Sequence, residues 1–339
     1  MKRQILKSCS ALLAGALLAA VPVWPRVDAA QETVIRMATI APKGSKAMRI
    51  LRAWDISVQK QTGGRVKFRF YPGGIAGDER DVLRKMKVGQ IDATTLTSVG
   101  LGQIVRSTSV LQVPGLFRSY DELKAVRSAM NDEWTKAFKG AGYQLLGWFD
   151  IGFGRIFSGR PIAKPDDLKK ARPWVWRDDP VFPALMKIVG ATGVPLALPE
   201  VFPALQTGMV DTVVASPTAA LGLQWFNNLK YMTKQADIAL VGATLLTQKQ
   251  FESLPPDAQK VLVDTGAQAH KKALELIARE EQADYQALLG RGIKEVDTAP
   301  HAKAWEKSYD VLRDQLSGKL FTQDLLDRVT KAAESARTR

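Results

Sequence analysis

Leu205-Gln206-Thr207-Gly208-Met209-Val210-Asp211-Thr212 echoes an earlier stretch, Met86-Lys87-Val88-Gly89-Gln90-Ile91-Asp92-Ala93. In both, an apolar helix end runs into a glycine suited to the left-handed conformation that stops helices, and a strand follows at once. Two such units point to two similar lobes; the rival reading is coincidence, because helix–glycine–strand junctions are common. Around the first unit, residues 33–40 form a nearly unbroken apolar run, as in a strand buried on both faces. Met48, Leu51, Trp54 and Val58 then recur at helical spacing up to Gly63-Gly64, residues 66–71 alternate as a strand, and 78–88 form a helix stopped by Gly89. This alternation continues to about residue 250 and predicts an α/β fold with a mainly parallel sheet covered by helices. From Pro255-Pro256 the pattern is one long helix ending at Gly290, followed by amphipathic helices over 302–316 and 322–336.

The chain has 339 residues, enough for one large or two ordinary domains. Apolar residues make up 46% and charged residues 24%, which fits a packed globular protein and not a disordered one. One cysteine rules out an internal disulfide, and one cysteine with two histidines cannot supply the roughly four Cys/His ligands of a structural zinc site. His270 and His301 share no metal-ligand spacing and read as surface or packing residues. There is no phosphate loop, no Gly-x-Ser-x-Gly elbow, no His-Glu-x-x-His and no histidine-based triad. The residues therefore call for no catalysis, no cofactor and no metal. The formal net charge of +14 comes from 48 Lys+Arg against 34 Asp+Glu. These basic residues are spread along helices among acids, so they describe a solvated basic surface with no nucleic-acid partner.

Residues 1–29 read as a secretory signal, with Lys2, Arg3 and Lys7 before an apolar stretch over 11–23 and a small-residue cleavage site at Val27-Asp28-Ala29. The expectation is export to the periplasm and cleavage after Ala29, which would discard Cys9. No later apolar stretch is long enough to span a bilayer, so the exported chain is expected to be soluble.

In open α/β sheets, ligands bind beyond the carboxyl ends of strands, where helix N-termini offer free N–H groups. Three such places stand out, at Asp78, Asp179 and Ser216. Ser216-Pro217 is a cap residue followed by proline at the first helical position; it either only caps the helix or also faces a ligand. Gly147, Gly152, Gly154 and Gly159 surround an apolar strand containing Arg155, whose charge needs a partner, either a ligand carboxylate or a structural aspartate. Trp174-Val175-Trp176 puts two indoles on one strand face, as a core slab or as the wall of an apolar pocket.

These stretches resemble a family. Thr62-Gly63-Gly64-Arg65-Val66, Tyr71-Pro72-Gly73, Gly77-Asp78-Glu79-Arg80 and Gly89-Gln90-Ile91-Asp92 are similar to the first lobe of DctP-type solute-binding proteins of tripartite ATP-independent periplasmic (TRAP) transporters. Arg160-Pro161-Ile162 with Pro165-Asp166-Asp167-Leu168 resembles the entry to their second lobe. The run from Pro199-Glu200-Val201-Phe202 to Asp211 is the most specific match, and Leu254-Pro255-Pro256-Asp257-Ala258 resembles the start of the family's long helix. The resemblance implies an α/β two-lobe periplasmic binding protein fold with a hinge, a long lobe-spanning helix and C-terminal helices. Lobe I would be residues 30–152 plus 243–278, and lobe II 153–242 plus 279–339, with crossovers near 147–156 and 238–246. It also implies a monomer that takes up a small organic solute and delivers it to TRAP permease membrane subunits for ion-gradient-driven uptake. An exported binding protein serving a sensor or a lipid-handling partner is the alternative.

Departures from the family's pattern shape the expected ligand. Where most members carry Lys-x-Arg-Val, this chain has Arg172-Pro173-Trp174-Val175, so an indole replaces the arginine that pairs with a substrate carboxylate. Ser216-Pro217 stands for the usual Asn-Pro, and the site after Asp92 carries Thr97 and Ser98 in place of charged groups. The expected solute is thus more apolar or aromatic than the family's usual acids, with Arg155 or Arg177 left to hold one anionic group. The expected ligand-binding set is Thr39, Asp78, Thr97, Ser98, Arg155, Trp174, Trp176, Arg177, Leu198 and Ser216.

Overall fold

Both copies of the echoed unit fold alike in the computed structural model, which describes residues 32–337; the expected leader, its cleavage site and Cys9 lie outside these. In chain order the first elements are β1 (Thr33–Ala38), α1 (Lys46–Gln61), β2 (Val66–Tyr71), α2 (Glu79–Lys87), β3 (Ala93–Thr97), α3 (Ser98–Ile104), α4 (Tyr120–Gly140) and β4 (Tyr143–Ser158). There follow β5 (Trp174–Trp176), α5 (Phe182–Ile188), β6 (Val194–Leu196), α6 (Leu198–Gln206), β7 (Thr212–Ala215), α7 (Pro217–Gly222), β8 (Tyr231–Thr233) and β9 (Ile238–Thr247). The chain closes with α8 (Gln248–Glu252), α9 (Pro256–Gly290), β10 (Lys294–Val296), α10 (Ala302–Leu316) and α11 (Gln323–Arg337).

Gly89 and Gly208 sit just past α2 and α6 with φ of 72° and 70°, and their amides donate back to the carbonyls of Met86 and Leu205. The likeness extends further. The Asp92 amide donates to the Arg36 carbonyl at 2.9 Å while its carboxylate accepts from the Arg36 amide at 2.8 Å. Asp211 does the same with Arg172, at 3.1 and 2.7 Å. Thr97 then caps α3, and Ser216 caps α7. A shared two-way brace between aspartate and neighbouring backbone, and not the glycine alone, makes the two units equivalent.

The main sheet runs β10-β8-β4-β9-β3-β1-β2, with β7 also pairing β4; β5 and β6 form a separate parallel pair. The expectation of a mainly parallel sheet needs correcting. β1 pairs in parallel with β2 and β3, and β8 with β10, but β4 is antiparallel to β7, β8 and β9, and β3 is antiparallel to β9. Local strand–helix alternation does not show that two long strands travel between the halves and return. Those strands are β4 and β9, paired from Tyr143↔Thr247 to Gly154↔Ile238 with register shifts at Leu145/Gly147 and Asp150/Gly152.

Burial divides accordingly. Trp54, Leu262 and Leu246 belong to a cluster behind β1 and β2, while Tyr285, Leu288, Val213 and Met232 belong to one around β7 and β8. The single helix α9 thus serves both halves, with the Trp54 indole donating to Thr265 at 3.0 Å near its start. A third cluster joins α4, α5, α10 and α11. Here the C-terminal helices part company. α10 lies on α5, with Trp305 donating to the Ala163 carbonyl. α11 instead lies on α4, with Arg328 ion-paired to Glu133 and Arg337 to Glu122. Residues 323–337 therefore pack against the segment assigned to lobe I, which their own amphipathic periodicity could not reveal. None of the described helices is long and apolar enough to cross a membrane.

Gly152 sits at the second register shift with φ of 117°, and a Cβ there would stand 2.7 Å from the Ser216 Cβ and 3.0 Å from a Glu281 carboxylate oxygen. Gly152→Ala is expected to cost at least about 2 kcal/mol, read as a lower melting temperature, because strain and overpacking add at one point.

Candidate functional site

Where the carboxyl ends of β1 and β3 face β5 and β7, the two halves enclose a cavity of about 850 Å³ with a mostly apolar wall. That volume suits a small organic molecule. On one side stand Thr39, Thr95, Thr97 and Ser98; opposite them are Trp174, Trp176, Phe182 and Leu198. Six of the ten expected residues meet here: Thr39, Thr97, Ser98, Trp174, Trp176 and Leu198.

The hydroxyl side is held by buried carboxyls and amides. Glu79, the first residue of α2, is 2% exposed and accepts from the Thr97 amide at 2.6 Å, the Thr97 hydroxyl at 3.0 Å and the Gly100 amide at 2.8 Å. It thereby satisfies the start of α3, and only glycine fits at position 100, where a Cβ would meet the Glu79 carboxylate at 2.6 Å. Burial pushes Glu79 up to about 8, against the pull of Thr97 and Gly100. Ser98 donates to Gln112 at 2.8 Å, and Gln112 donates to Asp179 at 3.1 Å. Asp179 caps α5 through the amides of Val181 and Phe182, and burial pushes it up to about 6.

The indole side is equally occupied at its polar edges. Trp174 donates to the Leu196 carbonyl at 3.1 Å and Trp176 to Asp78 at 2.7 Å. The rings lie 5.6 Å apart, with Trp225 5.3 Å from Trp174. With both N–H groups spent on the protein, these residues present ring surface to the cavity. Both indoles line the cavity, and Trp174 also packs against the core cluster around β7 and β8.

Four expected residues stand elsewhere. Asp78 lies behind the wall, capping α2 and accepting from Trp176. Ser216 is fully buried; it caps α7 and donates to the Ile151 carbonyl at 2.5 Å, so the cap is its role. Arg177 is ion-paired with Glu200 on the surface at 2.8 Å. Arg155, expected to hold a ligand anion, faces away from the cavity: it donates to the carbonyls of Thr233 and Lys234 and lies 4.5 Å over the Tyr285 ring. Burial lowers its pKa, opposed by Glu281, Glu295 and Asp237. The sequence supplied the charge but not these carbonyls, which come from a strand far along the chain.

Other lining groups were not singled out by sequence. Asp150 meets the cavity but is tied to buried Arg127, and Lys46 is held between Glu280 and Asp284. Thr218 donates to Asp284 at 2.6 Å, so α1, α7 and α9 join at this rim. His270 is buried, its ring nitrogens within 2.7 Å of the Thr244 hydroxyl and 2.6 Å of the Gly266 carbonyl, which fits the packing role; its ring also reaches the cavity. Arg49 and Arg291 line the cavity with no carboxylate partner among the described residues.

A carboxyl whose proton affinity rises on folding stabilises the fold while protonated, and that contribution is lost as pH climbs from the ordinary 4.5 through about 8. The melting temperature of the wild type relative to Glu79→Gln should therefore fall between pH 5 and pH 8.5. A difference that stays constant over that range would show that Glu79 binds no proton there.

The model of bacterial extracellular solute-binding protein family 7, DctP, matches residues 37–318. A solute-binding protein of Verminephrobacter eiseniae is 26% identical over 277 residues, covering 81% of this chain and 82% of its own. A TRAP periplasmic solute-binding protein from Sulfitobacter sp. NAS-14.1, solved with bound β-D-galacturonate, superposes with a TM-score of 0.82 at 20% identity, covering 88% of this chain and all of that one. The sugar acid binding protein DctPAm of Advenella mimigardefordensis, in complex with galactonate, gives 0.85 at 18% identity over 90% of this chain and 99% of that one. Both bound molecules are sugar acids, so these structures lend no support to an apolar or aromatic solute. The matched span covers most of the chain and both halves of the cavity, and the protein belongs to bacterial extracellular solute-binding protein family 7, the DctP-type receptors of TRAP transporters.

Proposed function

We propose that this chain is an exported, monomeric, non-catalytic receptor that encloses one small organic acid between its lobes and delivers it to the membrane subunits of a TRAP permease. The observation that carries the reading is the cavity of about 850 Å³ between the hydroxyls of Thr97 and Ser98 and the indoles of Trp174 and Trp176. Lobe I is taken as residues 30–152 plus 243–278 and lobe II as 153–242 plus 279–322, with 323–337 strapped onto lobe I through α4. Binding across such a cleft stabilises the arrangement that the permease meets, so solute affinity becomes a conformational signal.

The acid class is supported by the sugar acids of the solved relatives. The body of the molecule is inferred from this chain alone. The position at which most of the family carries arginine is Trp174, whose N–H is already bonded, so no bidentate carboxylate clamp exists there. A single carboxylate on a flat apolar or aromatic body fits this wall, with Arg49 and Arg291 as its proposed ionic partners.

Calorimetry with D-galacturonate, succinate and phenylacetate separates the parts of this reading. Phenylacetate is expected to bind best and to shift tryptophan emission, and Trp174→Ala should weaken it about tenfold, as loss of a stacked ring implies. Galacturonate bound tightly and unaffected by Trp174→Ala would keep the acid and discard the aromatic body; no heat from any of the three would count against the acid. Arg155→Met should leave the affinity within about twofold while lowering stability by about 2 kcal/mol, since two carbonyls lose their donor.

A further inference from the structure

The turn from Trp176 to Asp179 makes three polar contacts with the other side of the cleft. Trp176 donates to Asp78 at 2.7 Å, Asp178 is ion-paired with Arg80 at 3.2 Å, and Asp179 accepts from Gln112 at 3.1 Å. Asp78 also faces the backbone of Leu198 at the start of α6, so one carboxylate from the tip of α2 touches β5 and α6 together. The contacts differ in weight. Arg80 is 64% exposed in its side chain, so its ion pair contributes little. Asp78 and Asp179 are 7% and 5% exposed, and Gln112 is 1% exposed; leaving any of these without its partner is costly.

The geometry points to a latch built into the protein: Asp78 is the positioning residue that holds the Trp176 indole in the cavity wall, and the bond between them draws the two lobes together before any solute arrives. This rests on the two-lobe receptor reading but not on the identity of the solute. The bond joins atoms carried by different lobes, so it can form only in the closed arrangement and shifts the population toward it. Ser98 extends the chain into the cavity, since its hydroxyl donates to the same Gln112 that reaches Asp179. A solute that touches Ser98 therefore meets a wall already joined to the opposite lobe.

The test uses the full chain without solute. Cys9, the only cysteine in the sequence, is replaced by serine, and spin labels are placed at Ile56→Cys and Met209→Cys, both exposed and carried by different lobes. Pulsed dipolar spectroscopy then gives the fraction of molecules at the inter-label distance of the closed arrangement. Trp176→Phe keeps an aromatic ring in the wall without its donor, and Asp78→Ser keeps a helix cap too short to reach the indole. Trp176→Phe is expected to lower the closed-to-open ratio about fivefold, Asp78→Ser at least as much because it also loses the Leu198 contact, and the double variant no further than Asp78→Ser alone. A starting protein with no closed fraction, variants with unchanged distributions, or effects that simply add would each overturn the latch. Melting curves identify any variant that fails to fold, in which case the remaining one carries the comparison through Gln112→Leu on the neighbouring contact.

Discussion

Ten residues of β9 are committed along their whole length to β4, and β4 belongs to both halves of the sheet. Every other feature has to accommodate that ladder. Because β4 pairs with β9 at one end and with β7 and β8 at the other, neither half can slide without breaking hydrogen bonds in the other. The two register shifts are where the ladder gives way. Just past the second, where Phe153 is again paired with Ala239 of β9, the Phe153 amide donates to Glu281 from α9 at 2.7 Å, while Glu281 also accepts from Tyr120. A backbone donor beside the bulge is thus bonded to a carboxylate from the long helix α9.

Much of the fold was legible because it depends on local rules. Glycine after an apolar helix end, alternation in β2 and the Pro255-Pro256 start of α9 all act within a few residues, and each element lies within a residue or two of its expected bounds. The direction of β4 relative to β9 and the seating of α11 on α4 were not legible, because both depend on partners more than eighty positions away. The site shows the same division. Trp174 and Trp176 share a face because a strand alternates, whereas Arg155 had to be located in space before its carbonyl partners on the Thr233–Lys234 turn could be named. Ser216 was recognisable as a helix cap, but only the Ile151 carbonyl shows that its hydroxyl is also used as a donor.

Charge is distributed in a way the total conceals. A formal net charge of +14 would suggest a cationic cleft, yet Arg127, Arg155, Arg177 and Lys46 are each bound to protein carboxylates or carbonyls. The cavity wall is ring faces and hydroxyls, with Thr97 donating to Glu79 and Ser98 to Gln112, and Arg49 and Arg291 are its lining cations without a carboxylate partner among the described residues. Pairing buried charges internally is what permits so basic a chain to keep an apolar binding wall.

The helix α9 has a mechanical meaning beyond its packing. It is fixed near its start by the Trp54–Thr265 bond and carries Tyr285 and Leu288 in the core of the second half. The twenty-one residues from His270 to its end at Gly290 form a stiff rod of about 30 Å. A rotation of about 10° about His270 would move the far end by about 5 Å over that length. The helix therefore works as a lever: a displacement of about 1 Å four residues beyond the pivot becomes, near residue 290, a movement larger than the diameter of a water molecule.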